Sequence, residues 1–227
     1  TCFPAKNNIQ LILYFSNIIK YCKENQIQII HAHLPWAGFL SRLVHILTKI
    51  PVIYTEHNLQ ERYHSITKYI NKWTFNYQTL AVGVSNDGTQ SIQKNILPKI
   101  VCKTVLNGVN TKSFVRLNGS ERMTIRKQFG IPENAIVVGT TAVFRFQKRL
   151  DKWMEIMQAG IDKNPNIYGI VIGAGVLEDE IKAKHKELNL ESKVFFAGLQ
   201  SQVKPYYEAM DIFMMCSSFE GLPIALL

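Results

Sequence analysis

The chain has 227 residues, 47% of them hydrophobic, with 26 Lys and Arg against 17 Asp and Glu, totals ordinary for a globular protein of one or two domains. No apolar run approaches the roughly 20 residues of a membrane-spanning helix, and residues 1–8 lack the charged-then-apolar layout of a signal peptide. Four widely spaced cysteines, Cys2, Cys22, Cys102 and Cys216, form no C-x-x-C pair, which argues against a zinc site or a disulfide framework and fits a reducing cytosol. The net charge of +9 is unevenly placed: residues 1–116 hold 13 Lys and Arg against 4 Asp and Glu, whereas residues 117–227 hold 13 against 13. The first half is therefore expected to face something anionic, although a basic surface kept for solubility has the same composition.

Taken in order, the periodicity predicts a helix over residues 9–22, a short buried strand over 28–33, and a helix over 35–48 with Phe39, Leu40, Leu43, Ile46 and Leu47 on one side. A strand over 51–55 follows, closed by Glu56-His57-Asn58. Ile66, Tyr69, Ile70, Trp73 and Tyr77 then fall at helical spacing. Residues 80–84 read as a strand, Ser85 as an N-cap, 87–97 as a helix and 103–106 as the last strand of this half. The polar, aperiodic stretch over 107–119 is placed as the linker. A helix opens at Ser120 with Glu121 in its first turn and stops at Gly130 and Pro132. Alternation then resumes, with strands at 136–143, 168–172, 194–197 and 212–216 and helices at 150–163, 177–188 and 202–209. This pattern predicts an α/β protein with two Rossmann-like, doubly wound parallel sheets, helices covering both faces. The domains are set at 1–117 and 118–227. Each has four strands where such a sheet usually has about six, so both are expected to be incomplete.

Parallel strands all end on one side, so the loops after them converge at one sheet edge, where open α/β sheets place ligands. Four such junctions occur in the second half. Phe144-Arg-Phe-Gln-Lys-Arg149 offers Arg145 and Lys148, one suited to bidentate pairing and one a point charge, as a diphosphate needs. Gly173-Ala-Gly175 would let backbone approach a ligand, but a lone G-x-G is weak and more often simply a tight turn, and Gly198-Leu-Gln200 is again weak alone. The fourth is Ser217-Ser-Phe-Glu-Gly-Leu-Pro-Ile224, in which an acid beside a glycine precedes the proline of a starting helix. Each has a bland reading: a solvated cationic loop for the first, a helix N-terminal carboxylate for Glu220. His31 and His33 share a strand face, but two ligands without a third do not make a metal site.

Together these motifs resemble the retaining glycosyltransferases of family 4, which have the GT-B architecture of two Rossmann-like domains facing a cleft. The resemblance runs through Ile30-His-Ala-His-Leu, Thr55-Glu-His-Asn, Val105-Leu-Asn-Gly-Val-Asn, Gln147-Lys, Gly173-Ala-Gly, Val194-Phe-Phe-Ala-Gly and Ser217-Ser-Phe-Glu-Gly-Leu-Pro-Ile-Ala-Leu. It implies that Lys148 and Arg145 meet the donor diphosphate, although Arg145 lies closer to the lysine than the family spacing, with Val143 where Arg is common. Glu220 is implied to contact sugar hydroxyls, and Gly221, Leu222, Pro223 and Ile224 to hold sugar and phosphate. The resemblance likewise implies that Gly173 and Gly175 line the donor site, that Leu199 borders the nucleobase, and that His57 stands near the reacting centre on the acceptor domain. In the family a second acid follows the first after seven residues. Here it would fall just past Leu227, so the chain is expected to be an internal fragment, and its own activity is left open.

The resemblance thus implies an EC 2.4 transferase moving a sugar from a nucleotide-diphosphate donor to a saccharide or lipid-linked acceptor, in cell-surface polysaccharide or glycolipid synthesis. No metal or other cofactor is expected, because the cations and a helix N-terminus can stabilise the departing diphosphate. The expected location is the cytoplasm or the inner face of the membrane. The basic first half, with Lys68, Lys72, Trp73, Phe75 and Tyr77 close together, is a candidate for an anionic membrane surface; aromatics buried in a core beneath solvated lysines fit the same pattern. Nucleic acid is not expected, since no recognition helix or RNA-binding motif is found. Two rivals stay open: a sugar-nucleotide epimerase of the same architecture, and a non-catalytic nucleotide-sugar-binding module.

Overall fold

The structure, a computed structural model, describes residues 2–5, 7–115 and 119–227. Its contacts divide the chain into two compact units, Thr1–Gly108 with Gly221–Ile224, and Val109–Glu220 with Ala225–Leu227. The expected boundary between 117 and 118 lies outside the described residues.

The first unit runs α1 (Asn8–Leu13), α2 (Phe15–Glu24), β1 (Ile30–His33), α3 (Pro35–Thr48), β2 (Val52–Glu56), α4 (Ser65–Thr74), β3 (Leu80–Gly83), α5 (Asn86–Ile96) and β4 (Val101–Thr104). Its four strands pair in parallel in the order β1-β2-β3-β4. A sheet that grows in one direction through right-handed crossovers carries its linking helices on one face. Accordingly Ala32, Tyr54 and Ala81 are buried with Phe75, Ile92 and Ile96, while the alternating His31 and His33 are exposed. This differs from the helices expected on both faces, because within these four strands the order never reverses.

Local departures have local causes. The helix expected over 9–22 breaks at Tyr14, whose N–H closes α1 on Leu11 and whose hydroxyl donates to the Pro4 carbonyl. The last strand lies two residues before its expected place, since pairing with β3 sets the register at Leu80 opposite Val101. Ser85 caps α5 as expected, accepting from the Gly88 N–H at 3.0 Å. The stripe expected to run to Tyr77 outlasts α4, which ends at Thr74, and it points outward: Ile66, Tyr69 and Trp73 on the helix and Tyr77 beyond it are exposed, whereas Asn71 and, just past the helix, Phe75 are buried.

The second unit runs α6 (Ser120–Gln128), β5 (Ile136–Thr141), α7 (Leu150–Lys163), β6 (Ile167–Ile172), α8 (Glu178–Glu187), β7 (Val194–Gly198), α9 (Lys204–Ala209) and β8 (Ile212–Phe213). The parallel order is β7-β6-β5-β8, so the direction of growth reverses between β5 and β8. Both faces are covered. Val138 and Val171 join Trp153, Met154, Met157 and Ile181 on the side of α7 and α8. Val137, Ile170 and Ile172 join Ile125, Tyr206, Ala209 and Met210 on the side of α6 and α9. The strand expected over 212–216 pairs only at Ile212 and Phe213, with the Met214 N–H reaching the Gly139 carbonyl; among the described residues β8 has a strand partner on one side only, and the chain leaves the sheet there.

Candidate active site

The reversal between β5 and β8 is the topological switch point of the second sheet, the place where open α/β sheets take ligands at the carboxyl ends of their strands. Two loops leave those ends. The one after β5 winds into a 3-10 turn at Phe146–Lys148, crosses the left-handed Arg149 (φ 48°) and starts α7 at Leu150. The one after β8 runs from Met214 to Glu220. Two hydrogen bonds join them: the Ser218 N–H donates to the Gln147 carbonyl at 2.9 Å, and the side-chain Gln147 Nε2 donates to the Phe219 carbonyl at 2.8 Å. This zipper brings Lys148 Nζ to 2.6 Å from Glu220 Oε1, with both side chains about one-fifth exposed. A cation and an anion are therefore held together beside the N-terminus of a fourteen-residue helix, whose unpaired N–H groups favour an anionic ligand.

The other sequence-predicted residues fall around this pair. Arg145 lies exposed in the same loop and lines a pocket of about 570 Å³ with Phe144, Arg149, Leu177, Glu180 and Lys184. Gly173 (φ 125°) and Gly175 have a packing reason: a Cβ at Gly173 would strike the Ala142 carbonyl, and one at Gly175 would come within 2.6 Å of the Phe144 backbone. They let the loop after β6 lie against the loop after β5. Leu199 follows β7 and is 83% exposed. Gly221, Leu222, Pro223 and Ile224 group with the first unit, where Asn107 Nδ2 donates to the Leu222 carbonyl at 3.2 Å. The helix expected to begin at Ile224 appears as a 3-10 turn, Ile224–Leu226.

In the first unit the carboxyl ends of β1 and β2 gather three histidines. His33 Nδ1 and His57 Nε2 are 2.8 Å apart, and His31 Nε2 lies 2.8 Å from Thr55 Oγ1. Burial lowers the pKa of His57, helped by the neighbouring His33 and His31; burial and His33 lower that of His31. Both rings therefore favour the neutral form. Among the described residues no group of three or more His, Cys, Asp or Glu is arranged to hold a metal ion.

Sequence reasoning missed what lies beneath His57. Glu56 is fully buried; Oε1 accepts from the N–H of His57 (3.0 Å) and of Asn58 (3.1 Å), and from the Tyr63 hydroxyl. Oε2 accepts from the Tyr54 hydroxyl at 2.8 Å and from Gln60 Nε2. Burial raises the Glu56 pKa, and the surrounding donors hold it back. The signal was present as an acid ending an apolar strand, with Arg42 inside the apolar helix α3.

The comparisons with known proteins agree with this architecture. The family described as Glycosyltransferase Family 4 matches residues 1–113, and that described as Glycosyl transferases group 1 matches residues 121–227. The UDP-Gal:alpha-D-GlcNAc-diphosphoundecaprenol alpha-1,3-galactosyltransferase of Escherichia coli is 23% identical over 234 residues, spanning 97% of this chain and 60% of that protein. A Campylobacter jejuni enzyme named as an N-acetylgalactosaminyltransferase on a diphospho-undecaprenol acceptor is 42% identical over 52 residues, 23% of this chain and 14% of that protein. Among solved structures, Anabaena HepE in complex with UDP and glucose superposes with a TM-score of 0.80 at 18% identity, covering 93% of this chain and 58% of that one. Sucrose-phosphate synthase from Thermosynechococcus elongatus gives 0.82 at 17% identity, covering 99% and 59%. The chain thus spans about 60% of the length of the galactosyltransferase. The fold is GT-B, and the chain belongs to the glycosyltransferases of family 4.

Proposed function

We propose that the protein is a glycosyltransferase that moves a sugar from a nucleotide-diphosphate donor to a saccharide or lipid-linked acceptor with retention of configuration. The observation that carries this reading is the Lys148–Glu220 pair at the switch point, beside the N-terminus of α7. Cleaving a sugar–nucleotide bond leaves negative charge on the departing diphosphate. Lys148, Arg145 and the α7 N-terminus would stabilise that charge without a metal, and such fixed groups act most strongly where charge develops. Glu220, acceptor-only when ionised, suits the hydroxyls of the sugar. In this reading a donor takes over both partners of the pair, the diphosphate engaging Lys148 and the sugar engaging Glu220. The loop from Gly221 to Ile224 and Leu199 are assigned to the sugar and nucleobase ends of the donor, with Gly173 and Gly175 shaping the adjacent loop.

The second unit is accordingly the nucleotide-sugar domain and the first the acceptor domain, with His57 near the reacting centre. The names of the Escherichia coli and Campylobacter jejuni relatives, both specifying undecaprenol diphosphate acceptors, support a lipid-linked acceptor and a role in cell-surface polysaccharide or glycolipid synthesis. The outward stripe Ile66, Tyr69, Trp73 and Tyr77, with the exposed Lys68 and Lys72 on α4, supports contact with an anionic membrane surface. Because a nucleotide-sugar donor and a lipid-linked acceptor would meet there, we assign the work to the cytoplasmic inner face of the membrane; among the described residues no helix is long and apolar enough to cross a membrane.

The test is a screen of UDP-, GDP- and ADP-sugars on the complete protein, with Lys148→Ala and Glu220→Ala as controls. Transfer that falls in both variants is expected; undiminished transfer in both overturns the site. Conversion of the donor sugar to its epimer without transfer would favour the epimerase reading.

A further inference from the structure

The first unit contains a buried donor chain that links a cation to an anion through two amides. Arg42 Nη1 donates to Asn71 Oδ1 at 2.7 Å, Asn71 Nδ2 donates to Gln60 Oε1 at 2.9 Å, and Gln60 Nε2 donates to Glu56 Oε2. All four side chains are at most 1% exposed. Arg42 is also fixed by Gln78 Oε1 at 2.7 Å and Thr74 Oγ1 at 2.9 Å, and its guanidinium lies over the rings of Tyr54 and Phe75. Every amide is oriented by the charge at its end of the chain, so the array has one low-energy arrangement.

A buried ion pair bridged this way is poor evidence for stability, because desolvating both charges offsets much of their attraction. Its position is informative. The anion ends at the carboxyl end of β2, where it accepts the two successive backbone N–H groups of His57 and Asn58. The ring of His57 is held separately, by His33 Nδ1 at 2.8 Å. One restraint fixes the backbone and the other the imidazole. The geometry points to Glu56 as a positioning residue for His57, with Arg42, Asn71 and Gln60 acting through it. Glu56 touches neither donor nor acceptor in this assignment. It sets where the imidazole stands at the rim of the first sheet. This inference rests on the proposed placement of His57 near the reacting centre.

The experiment uses the complete protein. Glu56→Gln keeps the shape but turns one acceptor oxygen into a donor facing donors. Misplacing a reacting-centre group by about 1 Å can cost about 100-fold, so kcat is expected to fall roughly 10- to 100-fold with the donor KM changed less than about twofold. Placed on a His57→Ala background, the same substitution is expected to change kcat by less than about twofold, since its effect passes through the missing ring. Equal losses in both backgrounds would mean a general structural role and overturn the inference. Tyr63→Phe removes a single donor from Glu56 and is the milder variant should Glu56→Gln fail to fold; it is expected to lower kcat in the same direction and to lose its effect likewise on His57→Ala. An independent readout does not need turnover. In Glu56→Gln the amides of His57 and Asn58 should exchange at least about tenfold faster and the His57 ring ¹⁵N signals should shift, with exchange in β3 and α5 unchanged. Unchanged exchange and ring signals would also overturn it. A wild-type protein that transfers no sugar would remove the proposed function, while these signals would still decide whether Glu56 positions His57.

Discussion

The two units each bury an arginine completely, and the difference between them separates structure from site. In the second unit Arg126 donates to the carbonyls of Glu133, Ala135 and Ala209 and meets Asp211 Oδ2 at 2.7 Å, while the other Asp211 oxygen pairs with Arg122. Asp211 immediately precedes β8 and also accepts from the Val137 N–H near the start of β5. This knot ties the amino ends of two strands, the end of an open α/β sheet that does not take ligands. In the first unit Arg42 feeds a chain that ends at the carboxyl end of β2, beneath His57. The same residue type, equally buried, therefore holds the sheet together in one unit and reaches toward the candidate site in the other. Which end of the sheet it serves decides the reading.

The comparison can be broken first at its strongest point. Arg126→Leu leaves three backbone carbonyls without their donor, while Asp211, 31% exposed, keeps Arg122; leaving buried acceptors unpaired typically costs about 1–3 kcal/mol. Chemical denaturation should show the second unit destabilised by that order, with donor affinity retained wherever the unit is still folded. Lys148→Ala should do the reverse. Its pair with Glu220 is mostly buried, with about one-fifth of each side chain in solvent, so the cost to stability is expected on the order of 1–2 kcal/mol, above that of a fully exposed pair. Transfer should fall about 100- to 1,000-fold, the usual cost of removing one group that stabilises developing charge. If Lys148→Ala unfolds the unit instead, the pair is structural.

Acid should distinguish the units next. His31 and His57 have pKa values lowered from 6.5. The unfolded chain then binds more protons than the folded one as pH drops below 6.5, so the first unit loses stability there. The raised Glu56 carboxyl acts in the opposite sense, stabilising the fold as pH falls, which makes the net loss smaller. Asp211 is lowered from 3.8 by the Val137 N–H, Arg122 and Arg126 against a desolvation that raises it. Its contribution persists until pH falls through that ordinary value and is lost below it. Followed from pH 7 to 5 and corrected for the base-catalysed intrinsic rate, amide protection should fall in β1 and β2 before β5 and β6.

The smallest expected effect on folding sharpens the contrast in surface. Trp73→Ala on the exposed face of α4 should change stability by no more than about 0.5 kcal/mol. It should nonetheless reduce flotation of the complete protein with anionic liposomes, and that binding should weaken in high salt. Binding that ignores both the substitution and the salt would remove the membrane surface from the first unit.

The sequence by itself determined the alternation of strands and helices, and with it two parallel α/β sheets, because periods of 2 and 3.6 are local properties of the chain. Helices α3 and α7 have the bounds that the pattern predicts, α3 opening at Pro35 and both running as one amphipathic turn after another. Lys148 and Glu220 were also legible, since a basic loop and an acid beside Gly-Leu-Pro each follow an apolar strand.

Only the tertiary structure decided the rest. The length of β8 and the register of β4 depend on which strand lies alongside, information that no local window contains. The outward turn of Tyr69 and Trp73 depends on Arg42, far away in sequence, taking Asn71 and Thr74 for its own hydrogen bonds and so turning the polar edge of α4 inward. Gly173 and Gly175 read as ligand-approach glycines, and the structure shows the neighbouring loop they must clear. The 2.6 Å meeting of Lys148 with Glu220, 72 residues apart, needed the reversal of strand order between β5 and β8. Periodicity specifies faces and ends; which faces and ends meet is fixed by pairing between segments distant in the chain.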